Sequence, residues 1–173
     1  MRSIHLTLVM VLSLIVGVAC SNRANTVSYS DNVKKSLEQA ELKDVNVSED
    51  KDKNTITLTG TVHSENAKQQ AGEIAQSAAG GRIVANEISV QPVGAESEAK
   101  DIASNVDDAI ENNYKAALIS KGLDKEHIRF NAKNGVLTLK GRVKSPQQKE
   151  EAQQLAANVP NVQQVLNELQ VSR

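Results

Sequence analysis

The phrase Leu137-Thr138-Leu139-Lys140-Gly141-Arg142-Val143 repeats, at a constant offset of 81 residues, the earlier phrase Ile56-Thr57-Leu58-Thr59-Gly60-Thr61-Val62. The register continues through Ser64/Ser145, Lys68/Lys149, Ala71/Ala152 and Ala75/Ala156, and closes on Val84/Val165, Asn86/Asn167, Glu87/Glu168 and Val90/Val171. A chain of 173 residues built from two copies of one supersecondary unit predicts two small modules with thin cores rather than one large core. Aromatic residues are only 2%, with no Trp. The apolar mass therefore comes from Val, Ile, Leu and Ala, which suits helices packed closely on a sheet and poorly suits nucleobase stacking. A net charge of -1 likewise argues against a nucleic-acid partner.

Each copy reads as helix, strand, strand, helix, strand. In the first, Ser30 or Asp31 can cap a helix carrying Val33, Leu37 and Ala40 at helical spacing and ending near Leu42. Val45 to Val47 alternates as a strand, and the charged run Glu49 to Asn54 makes a turn. Thr55 to Val62 then returns with Ile56, Leu58 and Val62 on one face and threonines on the other. Ser64 caps a second helix with the stripe Ala67, Ala71, Ile74, Ala75 and Ala78, broken by Gly80-Gly81, and a third strand runs from Ile83 to Val90. Residues 92–100 read as a linker of small and acidic residues.

The second copy opens with a longer helix from Asp101 to Ser120, its apolar face Ile102, Val106, Ile110, Tyr114, Ala117 and Leu118 and its exit at Gly122. Asn134-Gly135 predicts a tighter hairpin than in the first copy. Ser145-Pro146-Gln147-Gln148 combines an N-cap, Pro at the first helical position and Gln at the third, a capping-box arrangement. The helix stops at Pro160 and Val165 to Val171 closes the unit. The expected fold is α+β: two tandem α-β-β-α-β modules, each a mixed three-stranded sheet with two helices on one face, over residues 31–91 and 101–173.

The amino terminus reads as an export signal over residues 1–19, with Arg2 before an apolar stretch and Gly17-Val18-Ala19 before a cut. About 13 apolar residues at 1.5 Å each reach roughly 20 Å, too short for about 30 Å of hydrocarbon. Gly17-Val18-Ala19-Cys20 resembles the lipobox of bacterial lipoproteins, in which the cysteine is acylated and becomes the mature terminus. Ordinary signal peptidase would cut the same bond and leave a free thiol. Cys20 is the only cysteine, so no disulfide within the chain is possible. Residues 20–30 would form a polar lipidated tether, and Ser21 after the cysteine implies, in a Gram-negative cell, the periplasmic face of the outer membrane.

The Leu-x-Gly-x-Val phrase before a Ser-capped helix and the closing Val-x-Asn-Glu-x-x-Val, present twice behind a lipobox, make both units resemble the BON domain, named for bacterial osmotically inducible and nodulation proteins. The resemblance implies a small α/β sandwich, no enzymatic activity, no cofactor, and attachment to phospholipid membranes or envelope partners.

The residues themselves offer no catalytic or metal constellation. His63 and His127 have no spaced His, Cys or carboxylate partners, and there is no phosphate loop or nucleophile elbow. Gly60 and Gly141, at one phase in the central strands, read as places of a bulge or of close approach by another element. The Asn-Glu pairs read as local hydrogen bonding on a solvated face. The informative asymmetry is charge: Arg129, Lys140 and Arg142 fall on the polar sheet face of the second unit, while Lys115, Lys121 and Lys125 offer a rival patch around its first helix. Either is a candidate contact for anionic phospholipid, against the plainer reading of a solvated face. The resulting expectation is a non-catalytic envelope lipoprotein that binds anionic phospholipid and supports envelope integrity or osmotic stress tolerance. The alternative is an interaction adaptor docking an envelope machine or peptidoglycan-associated partner.

Overall fold

A computed structural model of the protein describes residues 28–172. The expected signal segment over residues 1–19, Cys20 and most of the expected tether lie outside the described residues. Two α-β-β-α-β units follow one another. The first contains α1 (Tyr29–Gln39), β1 (Val45–Asp50), β2 (Thr55–Val62), α2 (Glu65–Ala78), β3 (Ile83–Asn86) and β4 (Ser89–Val90). The second contains α3 (Glu96–Ser120), β5 (His127–Lys133), β6 (Val136–Val143), α4 (Pro146–Ala157) and β7 (Gln164–Val171).

Both sheets have the repeated phrase at their centre. β2 pairs antiparallel with β1 and parallel with β3 and β4, while β6 pairs antiparallel with β5 and parallel with β7. The third strand expected in the first unit is interrupted at Glu87-Ile88, yet β3 and β4 keep one register, Thr55 opposite Ile83 and Thr61 opposite Ser89. The tighter second hairpin is also present: Asp50 faces Thr55 across a four-residue connection, whereas Lys133 faces Val136 across Asn134-Gly135 alone.

The period-two pattern decides which face of each sheet meets the helices. Ile56, Leu58 and Val62 are buried with Val33, Leu37, Ala71 and Ala75, and Leu137, Leu139 and Val143 with Ile110, Leu118, Ala152 and Ala156. Complete burial of a leucine such as Leu58 or Leu139 contributes about 1.5–3 kcal/mol. The alanine stripes of α2 and α4 let those helices approach the strands closely. Tyr114, fully buried, stands edge-on to Phe130 at 5.0 Å and donates its hydroxyl to the Ala152 carbonyl at 3.2 Å.

Helix starts follow the expected chemistry at Ser64 and Ser145, whose hydroxyls accept from the N–H groups of Ala67 and Gln148 at 3.2 Å. Gln148 reaches back to the Lys144 N–H at 2.8 Å, one residue before the expected capping-box position. Boundaries differ from the sequence reading in several places: Glu49 and Asp50, expected in the turn, extend β1 by pairing with Ile56 and Thr55. α1 begins at Tyr29 with Ser28 as its cap, accepting from the Asp31 N–H at 3.3 Å, and ends at Gln39 rather than near Leu42. The aromatic ring explains the earlier start: Tyr29 lies against Arg82, whose Cζ is 3.9 Å from the ring centroid, which ties the first turn to the strand end.

The segment 92–100, expected as a linker, is helical from Glu96 onward, because Glu96, Ser97, Glu98 and Ala99 carry no breaker after Gly94 and the acidic residues suit the positive end of the helix. The same extension leaves Ile102, expected on the buried face, 62% exposed, since this part of α3 reaches beyond its own sheet.

Gly60 and Gly141 behave as expected. Both have positive φ (116° and 118°), and a Cβ on either would stand 2.2 Å from the Asp44 carbonyl oxygen or 1.9 Å from that of His127. The neighbouring strand therefore runs too close for any side chain.

Candidate functional site

The face of each sheet opposite its helices carries the polar residues, and in the second unit the strand register sets them in rows. Arg129 of β5 lies opposite Lys140 of β6, which lies opposite Glu168 of β7; in the next row His127, Arg142 and Gln170 align. Residues directly opposite in an antiparallel pair project from the same face, so Arg129 and Lys140 are like charges side by side, an arrangement that costs stability without an anion nearby. These rows form the floor of a groove of about 840 Å³ whose basic lining is Lys53, Lys125, Arg129, Lys140 and Arg142, with Glu126, His127, Glu168 and Gln170. A second hollow of about 380 Å³ shares Arg129 and Lys140 and reaches Glu87 of the first unit.

The sheet patch read from the sequence is thus brought together, and Lys125, expected in the helix patch, joins it. Lys115 and Lys121 are exposed on and just after α3 and do not line the groove. The polar lining residues beyond the sequence candidates are Lys53, Glu126, His127, Glu168 and Gln170; His127 carries no signal in the sequence except its lack of metal partners, and Lys53 belongs to the other unit.

Lys53 reaches the groove because the two units pack with their polar sheet faces toward each other. Ala85 of β3 is buried with Val136 and Leu166 of the second unit, and the threonine at the equivalent of Val136, Thr55, is only 3% exposed. The expectation of solvated polar faces therefore fails where the units meet: removing this apolar area from water favours docking, and side-chain amides satisfy the backbone groups that docking covers. Gln164 donates to the Val84 carbonyl at 2.7 Å and accepts from the Asn86 N–H at 3.3 Å, matching the outer edge of β3 as another strand would. Asn134 donates to the Glu87 carbonyl at 2.9 Å, and the Lys68 ammonium donates to the Asn134 carbonyl at 2.9 Å. Burial lowers the pKa of Lys68, against the smaller opposing pull of Glu65 and Asp107.

The paired Asn-Glu residues divide their work. Asn86 and Asn167 do make local hydrogen bonds, to the carbonyls of Lys68 and Lys149 and, by their side-chain oxygens, from the N–H groups of Ile88 and Leu169. The glutamates are not on a solvated face. Glu87 pairs with Lys133 at 3.0 Å, while Glu168 pairs with Lys53 at 3.1 Å and lies 3.9 Å from Lys140, their side chains 17% and 12% exposed. Their recurrence in the repeat was the one sequence signal that something specific faced them. The carboxylates of Asp50 first and Glu168 second, close to its ammonium, hold Lys53 above the ordinary lysine range, and the hydrogen bond that Asp50 accepts from Lys53 lowers the Asp50 carboxyl. Glu126 is lowered by its hydrogen bond from Lys144, 2.9 Å away. Among the described residues Arg129 and Arg142 make no ion pair within 4 Å. No three His, Cys, Asp or Glu side chains among the described residues gather as metal ligands, and no described helix is long and apolar enough to cross a membrane.

Two small mixed sheets, each with a helix pair on one face and a positive-φ glycine in its central strand, define a tandem module class that family comparison identifies. The model for the BON domain matches residues 28–92 and 99–173, and the chain belongs to this family with two such domains. Over 129 residues the chain is 28% identical to Osmotically-inducible protein Y of Escherichia coli (strain K12), an alignment covering 74% of this chain. The chain spans 63% of the length of that curated relative.

Proposed function

We propose that the protein is a non-catalytic, lipid-anchored envelope protein whose second BON domain binds anionic phospholipid surfaces through the sheet groove, and that it supports envelope integrity under osmotic stress. The observation that carries this reading is the cross-strand pair Arg129–Lys140 with Arg142 beside it on an open, concave face, where five basic side chains outnumber the two carboxylates of Glu126 and Glu168 and each basic residue gains about 1 kcal/mol near an anionic membrane. The osmotic connection is supported by the similarity to Osmotically-inducible protein Y.

In this reading Cys20 carries the lipid and the groove orients a protein already held at the membrane. Intact-mass analysis of the mature protein should find acylated Cys20 as the first residue; an unmodified Cys20 removes the anchor from the proposal. Residues 21–173 without lipid, mixed with neutral and anionic liposomes, should bind only the anionic ones and release them as salt shortens the screening length. Reversal of Lys140 and Arg142 to Glu should abolish binding. Loss instead on reversal of Lys115 and Lys121 would move the contact to α3, and absence of binding at low salt would put the adaptor reading in its place.

A further inference from the structure

We infer that the groove is an interdomain site for a phosphate group, completed by Lys53 of the first domain, with Glu168 as the carboxylate that competes with the phosphate for Lys53 and Lys140. The inference rests on the anionic-surface reading above and adds to it a residue from the other domain and a built-in competitor.

The cations converge from three separate pieces of chain. Lys53 comes from the β1–β2 hairpin, Lys125 from the connection between α3 and β5, and Arg129, Lys140 and Arg142 from the sheet floor. Donors arriving from several directions suit a tetrahedral oxyanion, whose oxygens spread in three dimensions, better than a planar carboxylate, and the guanidinium forks bind phosphate oxygens in pairs. Glu168 stands at the centre of this arrangement: its Oε2 is 3.1 Å from Lys53 Nζ and 3.9 Å from Lys140 Nζ, and that oxygen is buried with no well-directed hydrogen bond. Lys53 has a second carboxylate, Asp50, at 3.0 Å, whereas among the described residues Lys140 has only Glu168 within 4 Å, and an oxyanion with more acceptor atoms can draw both lysines toward it. A phosphate in the groove would therefore contact both domains, so binding and domain docking are linked.

The test uses the protein from residue 21 onward with two phosphate sources, vesicles containing phosphatidylglycerol in phosphatidylcholine and soluble glycerol phosphate at matched ionic strength. Lys53→Gln should weaken binding about fivefold, the effect of one basic residue at an anionic surface. Lys51→Gln, the same charge change on the same hairpin but outside the groove lining, should leave affinity within twofold. Glu168→Gln should tighten binding by about fivefold, although it removes an ion pair. An effect of Lys53 with vesicles identifies a lipid headgroup as the source, and one with glycerol phosphate a soluble phosphate; either supports the inference. Equal effects of Lys51→Gln and Lys53→Gln, or weaker binding by Glu168→Gln, overturn it while leaving the groove reading intact if Arg142→Glu still abolishes binding. If Arg142→Glu has no effect either, the groove reading fails as well.

Discussion

Lys53, on the hairpin of the first BON domain, places its ammonium 3.1 Å from the carboxylate of Glu168 in the closing strand of the second. The relationship is reciprocal, since Lys133 on the second hairpin lies 3.0 Å from Glu87, in the break between β3 and β4 of the first. Each domain thus offers a hairpin lysine and receives one on the glutamate of its repeated Asn-Glu pair. With the lysine of each pair about half exposed, such pairs contribute about 0–1 kcal/mol each, so they select the docked arrangement more than they hold it. The holding falls to the small apolar contact of Ala85, Val136 and Leu166 with the amides of Gln164 and Asn134.

Leu166→Asp should therefore separate the domains without unfolding them, because Leu166 points away from the core of its own domain and a carboxylate buried beside Ala85 and Val136 has no partner there. Small-angle scattering should show the radius of gyration rise above the roughly 15 Å of a compact chain of this length, with the circular dichroism spectrum retained. An unchanged radius in the folded variant would show that docking rests on other contacts.

Gly141→Ala should cost at least about 1–3 kcal/mol in chemical denaturation, since it combines a positive φ with a Cβ driven against the His127 carbonyl. Gly60→Ala should behave alike against Asp44. Gly81→Ala, at positive φ but with nothing within 4 Å of the added atom, should cost less, and equal costs at the three positions would attribute the effect to backbone strain alone.

Leu139→Ala should destabilise by about 2–5 kcal/mol as a core truncation, whereas Thr59→Ala on the opposite face should cost little. Comparable losses would reverse the assignment of the two sheet faces.

Lys68 makes stability depend on pH in a direction opposite to that of Lys53. Its folded pKa lies below the usual 10.5, so between the two values the unfolded chain binds the proton more readily and stability rises with pH. Lys53, raised above 10.5, contributes stability that is lost as pH climbs through its folded value. The stability of the wild type minus that of Lys68→Met isolates the first effect, and urea titrations toward pH 10.5 should show this difference increasing. A difference that is flat or falls would mean that the ammonium is not held in a desolvated place.

The amino-acid sequence by itself determined the duplication, the element order, the inward face of each central strand, the serine caps of α2 and α4 and the two close-approach glycines. All of these depend on periodicity or on the stereochemistry of one or a few adjacent residues, which a linear reading can follow. It also placed Arg129, Lys140 and Arg142 on one face, because strand alternation is local. What only the tertiary structure decided is where the polar faces go. A threonine at position 55 and an alanine at 85 satisfy the alternation whether they face water or another domain, and nothing in their spacing distinguishes the two. Burial of Thr55, the amides laid along β3, and the delivery of Lys53 to Glu168 all depend on the packing of one sheet against the other. That packing is set by shape and charge matching between residues far apart in sequence, which no window along the chain contains. The early start of α1 is of the same kind, since Ser28 is one of several possible caps until Arg82, brought close by the fold, takes Tyr29 as its partner.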